Sequence, residues 1–239
     1  MTNPEGAKPS VMKKYKNVVA LILILLLPSG LYIFLSTGKH NIITLPYFGE
    51  KEAIERLENS KKVTDTLYHT VANFNFTNQD KQKFGSENLK GNFYLANYFF
   101  ANCPSICKDM SANIYYLQGR LEEYNDVKFI SFTCDPQRDT VEALKAYSDL
   151  VHANNKQWNF VTGNRDSLYQ FAASQLLIPA AEDALAPGGF LHSEYFILVD
   201  KQNHIRGLYD GTQLKEVNRL IDEIKVLKAE ELIPRKKKK

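Results

Sequence analysis

Apolar positions in this chain fall into separated blocks, some continuous and some recurring every three or four residues. Tyr94 to Phe100 and Val127 to Thr133 are nearly unbroken apolar runs of strand length. Such runs read as strands buried on both faces, as in a parallel sheet. Trp158 to Val161 is a third, shorter one. Between them the period changes. Met110, Ile114, Leu117 and Leu121 recur at helical spacing and predict a helix to about Tyr124. Asp139, with Glu142 three residues on, reads as a capping-box start for a helix to about His152. Asn164 predicts the cap of a helix from Asp166 to about Leu176. Pro179 to Gly189 reads as a mobile loop. Tyr195–Val199 and Ile205–Tyr209 are strands joined as a hairpin through Asp200 to Asn203. Thr212 caps a last helix with Leu214, Val217, Leu220, Ile221, Ile224 and Leu227 on one face.

Strands alternating with helices, closed by a hairpin and a helix, predict an α/β fold, a thioredoxin-like layer sandwich. Upstream the pattern is weaker. Phe74 and Phe76 alternate as an edge strand would, and Asn78 to Lys81 is a turn. Gly49 to Lys62 is charged and reads as a short helix with poor apolar spacing.

Val18 to Leu35 differs from every other block, being uncharged and apolar apart from Pro28, Ser29 and Gly30. Its length lies near the lower limit for crossing a bilayer. Lys8, Lys13, Lys14 and Lys16 precede it, which keeps the start cytoplasmic and sends the rest across. The competing reading is a cleaved signal peptide, with Ser36 and Gly38 as small residues near a weak cleavage site. The run exceeds the usual signal core, which favours a retained transmembrane anchor. The expected organisation is a cytoplasmic start (1–17), a transmembrane helix (18–35), a spacer (36–64), a thioredoxin-like domain (65–230) and a basic tail (231–239). The domain then lies outside the cytoplasm, where a disulfide persists.

Composition adds little except exclusions. A net charge of +3 is mild, and much of it sits in Arg235 to Lys239 and the early lysines. No basic, aromatic-laced face argues for nucleic acid. The tail reads as a solvated end, or as a contact for anionic headgroups. Three cysteines do not make a disulfide scaffold.

They fit a working pair plus one. Cys103-Pro104-Ser105-Ile106-Cys107 follows the aromatic strand. Asn102 can cap a helix there and Pro104 suits its first turn, which puts Cys103 at the helix mouth. Open α/β sheets keep their sites at that edge. Unpaired N–H groups and the macrodipole lower a thiol pKa at that position, making a better nucleophile and metal ligand. Cys107 is one turn on, with Cβ atoms roughly 5–6 Å apart in regular helix. Slight loosening lets the pair close a disulfide, which needs about 3.5–4.5 Å. The same pair can instead grip one soft metal ion. Cys134, ending the second strand, reads either as a packed small side chain or as an extra thiol. Asp135 reads as a turn former before Pro136, as an outer partner of the site, or as a charged docking point.

Of five histidines, His40 and His69 lie before the first strand, His152 ends a helix and His204 sits in the hairpin turn. His192 differs. It follows the glycine-rich loop and directly precedes a strand, at the lip of the sheet. Position alone leaves it open between plain surface and metal ligand.

Cys103-Pro104-Ser-Ile-Cys107 after an aromatic strand, Asp135-Pro136-Gln-Arg138-Asp139-Thr140, then His192-Ser193 before Phe196 to Asp200 together resemble the SCO/SenC family over roughly residues 65–228. The resemblance implies a thioredoxin fold on one membrane anchor. It implies one copper, Cu(I) or Cu(II), held by Cys103, Cys107 and His192. It also implies a role in delivering copper to, or reducing the cysteines of, the binuclear copper site of cytochrome c oxidase. The implied partners are that copper-site subunit and other periplasmic copper carriers or thiol reductases. The implied location is a bacterial inner membrane with the domain on its periplasmic side, or alternatively the mitochondrial inner membrane. Soft sulfur ligands suit Cu(I) and imidazole suits both copper states, whereas a structural zinc wants four protein ligands. The sequence departs from the family at Lys108, where a proline is common, and at Cys134, where an aliphatic or small residue is more usual. The alternative is a thiol–disulfide reductase in which Cys103 and Cys107 are a redox pair without stable metal. A peroxidase needs a single peroxidatic cysteine with Thr and Arg placed around it, and the sequence offers a close pair instead.

Overall fold

Buried aromatic strands form the centre of the chain. The computed structural model describes residues 11–37, 44–58, 61–183 and 187–232. The chain divides into two units, Met1–Ile43 and Thr44–Lys239.

In the first unit, helix α1 spans Val11–Thr37, continuing through Pro28. Its described side chains from Leu21 to Tyr32 are exposed. Among the described residues no helix is long and apolar enough to cross a membrane. The side chains at 18–20 and 33–35, which complete the apolar run, lie outside them.

The second unit begins with strands β1 (Lys51–Glu58) and β2 (Lys61–Tyr68). They pair as an antiparallel hairpin of their own, with Lys51 opposite Tyr68. This replaces the helix expected over 49–62. Nearly every described position of the hairpin is exposed, so it carries no apolar stripe for a helix to bury. Strand formers (Ile54, Val63, Thr64, Thr66) and the cross-strand pair Lys62–Glu55 at 3.1 Å fit the extended form.

Next come β3 (Asn75–Asn78), β4 (Lys83–Gly85), the short α2 (Ser86–Leu89) and β5 (Phe93–Phe99). Then follow α3 (Cys107–Arg120), β6 (Val127–Thr133), α4 (Val141–Leu150), β7 (Trp158–Thr162) and α5 (Arg165–Ser174). The chain continues through β8 (Ala180–Glu182), β9 (Phe190–His192), β10 (Tyr195–Val199), β11 (Ile205–Asp210) and α6 (Leu214–Leu232). Seven strands form one sheet in the order β11-β10-β5-β6-β7-β3-β4. Strands β5, β6 and β7 are parallel, and β10 runs antiparallel to β5.

Alternation in β5 splits the aromatic residues between the two faces. Tyr98 stacks on Phe132 at 5.2 Å, and Phe171 of α5 closes over Phe132 at 5.3 Å. Phe99 faces the other way, meeting Phe160 and Tyr147 of α4, each at 5.2 Å. Helix α3 lies on that second face, because Ser111 and the Tyr147 hydroxyl are hydrogen-bonded at 2.9 Å. The sheet therefore sits between helical layers, the mixed α/β thioredoxin-like arrangement expected from the pattern. Several of its buried polar groups pair with one another. Trp158 Nε1 donates to Ser131 Oγ at 2.9 Å, and Ser131 donates to Asn97 at 2.7 Å.

Two ion networks close the edge away from the carboxyl end of β5. At the start of β6, Asp126 meets Lys201 at 2.9 Å and also contacts Lys228. Partial burial works against its charge, but hydrogen bonds from the two lysines hold its carboxyl pKa below the usual carboxylate range. A depressed carboxyl contributes stability that is present above the unfolded value and lost as pH falls through the folded one. Asp126→Asn should therefore cost at most about 1 kcal/mol near neutrality, the upper range for exposed pairs. Denaturant unfolding at pH 7 and below pH 3 measures this, and the gap between variant and parent should close at the lower pH.

The second network holds the segment entering the domain. Arg206, at the start of β11, donates to Asp200 Oδ2 (3.0 Å), Glu230 Oε2 (2.8 Å), Leu45 O (2.8 Å) and Pro46 O (3.2 Å). Tyr47 stacks beneath the guanidinium at 4.3 Å, and Phe48 N–H donates to Ile205 O. Val199 pairs with both Ile205 and Tyr94, so this latch lies at the amino edge of β5.

Candidate metal centre

Phe99 ends β5 and the chain turns through Phe100, Ala101 and Asn102 to Cys103, whose N–H returns to Phe100 O at 3.2 Å. Helix α3 starts at Cys107, with Ile106 as its cap residue and no side-chain cap bond. Asn102 is thus not the cap, and Pro104 precedes the helix. The loosened stretch 103–106 lets the two sulfurs approach, which a regular helical turn would not. Cys103 and Cys107 are thiols, hydrogen-bonded to each other.

The helix dipole therefore acts on Cys107, which occupies the helix start, and not on Cys103. There it is outweighed. The bond with Cys103 and then burial push the Cys107 thiol well up, against a bond with the Phe100 backbone that favours the thiolate. A proton shared between two sulfurs is held until a metal ion or an oxidant displaces it.

Cys103 is 5% exposed and Cys107 is 1% exposed, so access matters. A cavity of about 320 Å³ opens beside them, lined among others by Lys108, Tyr115, Leu150 and His152. Its wall includes Tyr147, whose phenol burial pushes up to about 12 despite the bond to Ser111.

Asp139 is a site residue that the local pattern misassigned. The cap of α4 is Thr140, which accepts from Ala143 N–H. Asp139 is buried and instead accepts from Ala101 N–H (3.1 Å) and Thr133 Oγ1 (2.5 Å), pinning the turn before Cys103 to the end of β6. Burial raises its carboxyl pKa, with these donors opposing. The only sequence signal for this role is its place in the Asp135-to-Thr140 run.

Cys134 is fully buried, with its thiol donating to Phe99 O at 3.3 Å and its carbonyl accepting from Tyr169 at 2.6 Å. Burial, followed by Asp139 and Asp135, raises its thiol pKa. Asp135 is buried too. Its backbone carbonyl closes the turn by accepting Asp139 N–H at 2.8 Å, and its carboxylate pairs with Arg138.

The backbone of His192 ends β9, opposite Ala180 of β8, and its side chain lies outside the described residues. Ile197 pairs with Ala96, so the start of β10, three residues on, shares the sheet edge where β5 ends. The segment before His192 packs on the cysteine turn. Phe190 meets Phe100 at 5.3 Å. A Cβ on Gly188, which has φ +79°, would stand 2.6 Å from Phe100 Cζ and 3.1 Å from Pro104 Cδ. Glycine is needed there both for the close approach and for the left-handed backbone.

The other described histidines go elsewhere. His69 Nε2 bonds Gln175 O at 2.9 Å, His204 packs against Tyr47 and Asp200, and His152 lines the outer cavity. His40 lies outside the described residues. Among the described residues, no three His, Cys, Asp or Glu side chains gather as a metal site.

The SCO1/SenC family model matches residues 62–228. The chain belongs to the SCO1/SenC family. It is 30% identical over 171 residues to the SCO1 protein homolog of Bacillus subtilis, covering 69% of this chain and 86% of that one. A solved structure of BsSco, described as a member of the Sco family of cytochrome c oxidase assembly proteins with a disulfide switch, superposes with TM-score 0.59. It is 29% identical and covers 66% of this chain and 93% of that chain. Yeast Sco1 with copper bound shares the fold at TM-score 0.54 and 23% identity, covering 66% of this chain and 89% of that one.

Proposed function

We propose that this chain is a membrane-anchored copper carrier for cytochrome c oxidase assembly, holding one copper ion as cargo on Cys103, Cys107 and His192. The observation that carries this reading is the packing of the His192 strand, through Gly188 and Phe190, against the turn that brings the two thiols together. Two sulfurs and one imidazole are a donor set for Cu(I) that also accepts Cu(II). Three ligands leave the ion open to an incoming ligand, which handing over a metal requires. Asp139 fixes the cysteine turn, the buried Cys134 packs behind it, and the cavity beside Lys108 admits the recipient's donor groups. The apolar run of 18–35 anchors the domain on the outer side of a bacterial inner membrane, or of its mitochondrial counterpart. The copper-site subunit of the oxidase is the proposed recipient.

The contact between the thiols favours one second reading. The pair can reduce a partner disulfide, Cys103 and Cys107 giving up two electrons and two protons to form their own disulfide while the partner gains two thiols. That activity does not need His192.

Anaerobic Cu(I) competition against a chelator distinguishes the two. His192→Ala should weaken copper binding by roughly 10–100-fold, a loss of about 1.4–2.8 kcal/mol, and leave the reduction potential of the cysteine pair in place. Unchanged affinity and transfer rate would contradict the ligand assignment.

A further inference from the structure

Arg138 spans two turns, the one after β6 and the one before β9. Its Nε pairs with the carboxylate of Asp135, which is itself only 4% exposed, so the guanidinium is aimed by a buried partner. On the far side Nη2 reaches within 3.5 Å of Gly188 O, and the guanidinium lies 5.2 Å from the Phe190 ring centre. Gly188 and Phe190 are the same residues that rest on Phe100 and Pro104. The Arg138 side chain is about half exposed, so core filling does not account for it. A planar guanidinium can fork to a carboxylate, donate to a carbonyl and stack on a ring at once, whereas an ammonium cannot.

We propose that Arg138 is the positioning residue of the histidine strand, holding Phe190–His192 against the Cys103–Cys107 turn so that the imidazole is presented to the thiol-held ion. This rests on the copper reading above. Without the strut the histidine must be ordered when metal binds, and the affinity falls by that cost.

Hydrogen exchange on the reduced, metal-free full chain tests the strut itself. Arg138→Met should speed exchange at Gly189 to His192 while amides of β5, β6 and α3 keep their rates. Unchanged exchange overturns the proposal. Anaerobic Cu(I) competition tests its purpose. Arg138→Met should weaken binding about ten-fold, the lower range for outer partners of a metal ligand, but add nothing in a His192→Ala background. An equal loss in both backgrounds overturns the proposal, since Arg138 would then act without the histidine. Arg138→Lys should restore binding only in part, and full recovery would show that charge alone suffices, overturning the strut. A parent chain that takes up no copper overturns the copper reading and the purpose assigned here, while exchange still reports separately whether the strut holds the strand.

Discussion

Cys103→Ser and Cys107→Ser should each lose Cu(I) affinity by roughly 10²–10³-fold. Four-ligand structural zinc sites are worth on the order of 10–16 kcal/mol, so one ligand accounts for about 3 kcal/mol, which is that many-fold in affinity. The loss should be larger than for His192→Ala, because thiolate is the softer donor. Cys134→Ala is the internal control. Its sulfur is fully buried and bonded to Phe99 O, so affinity should stay within about two-fold even though that buried sulfur and its bond are lost. Chelator competition under reducing, anaerobic conditions reads all three. Equal losses at Cys134 and Cys107 would mean that the third thiol joins the site.

Arg206→Met should destabilise the domain by about 3–5 kcal/mol, the cost of leaving buried carboxylates without their cation. Arg206 and Asp200 are each 2% exposed, and Glu230 adds a second carboxylate to the same guanidinium. For a domain of this size that corresponds to a fall in Tm of roughly 6–20 °C. The latch sits at the amino edge of β5 and the thiols follow its carboxyl end. Copper affinity measured well below the new Tm should therefore match the parent. A Tm within about 2 °C of the parent would show that Leu45 to Phe48 are held by other means.

These expectations follow from features of unequal visibility in the sequence. β5, β6 and β10 are legible because strands buried on both faces leave continuous apolar runs, and α6 because one face carries most of its apolar residues. β1 and β2 are not, because a hairpin exposed on both sides has no alternation to read. β8 and β9 are three residues each and fall in a stretch whose Pro and Gly read as loop.

The proposed site is legible in the sequence as chemistry and less so as geometry. Cys103 and Cys107 stand out by type and spacing, whereas position alone leaves His192 open between plain surface and metal ligand. Local signals at Asn102 and Pro104 place the start of α3 too early, because Cys103 N–H returns to Phe100 O and the helix begins only at Cys107. Asp139 looks like a cap by local rules, but its carboxylate is drawn to Ala101 N–H and Thr133. Only the parallel pairing of β5 with β6 brings those donors to it. Arg138 shows only as a member of the Asp135-to-Thr140 run until Gly188 and Phe190 are seen across the turn from it.

Copper K-edge absorption on the full chain, loaded anaerobically with one equivalent of Cu(I) and desalted, addresses the central assignment most directly. One retained copper per chain is expected, with two sulfur neighbours and one imidazole nitrogen. A chain that keeps no copper, or copper whose neighbours lack either the sulfur pair or the imidazole, would contradict it.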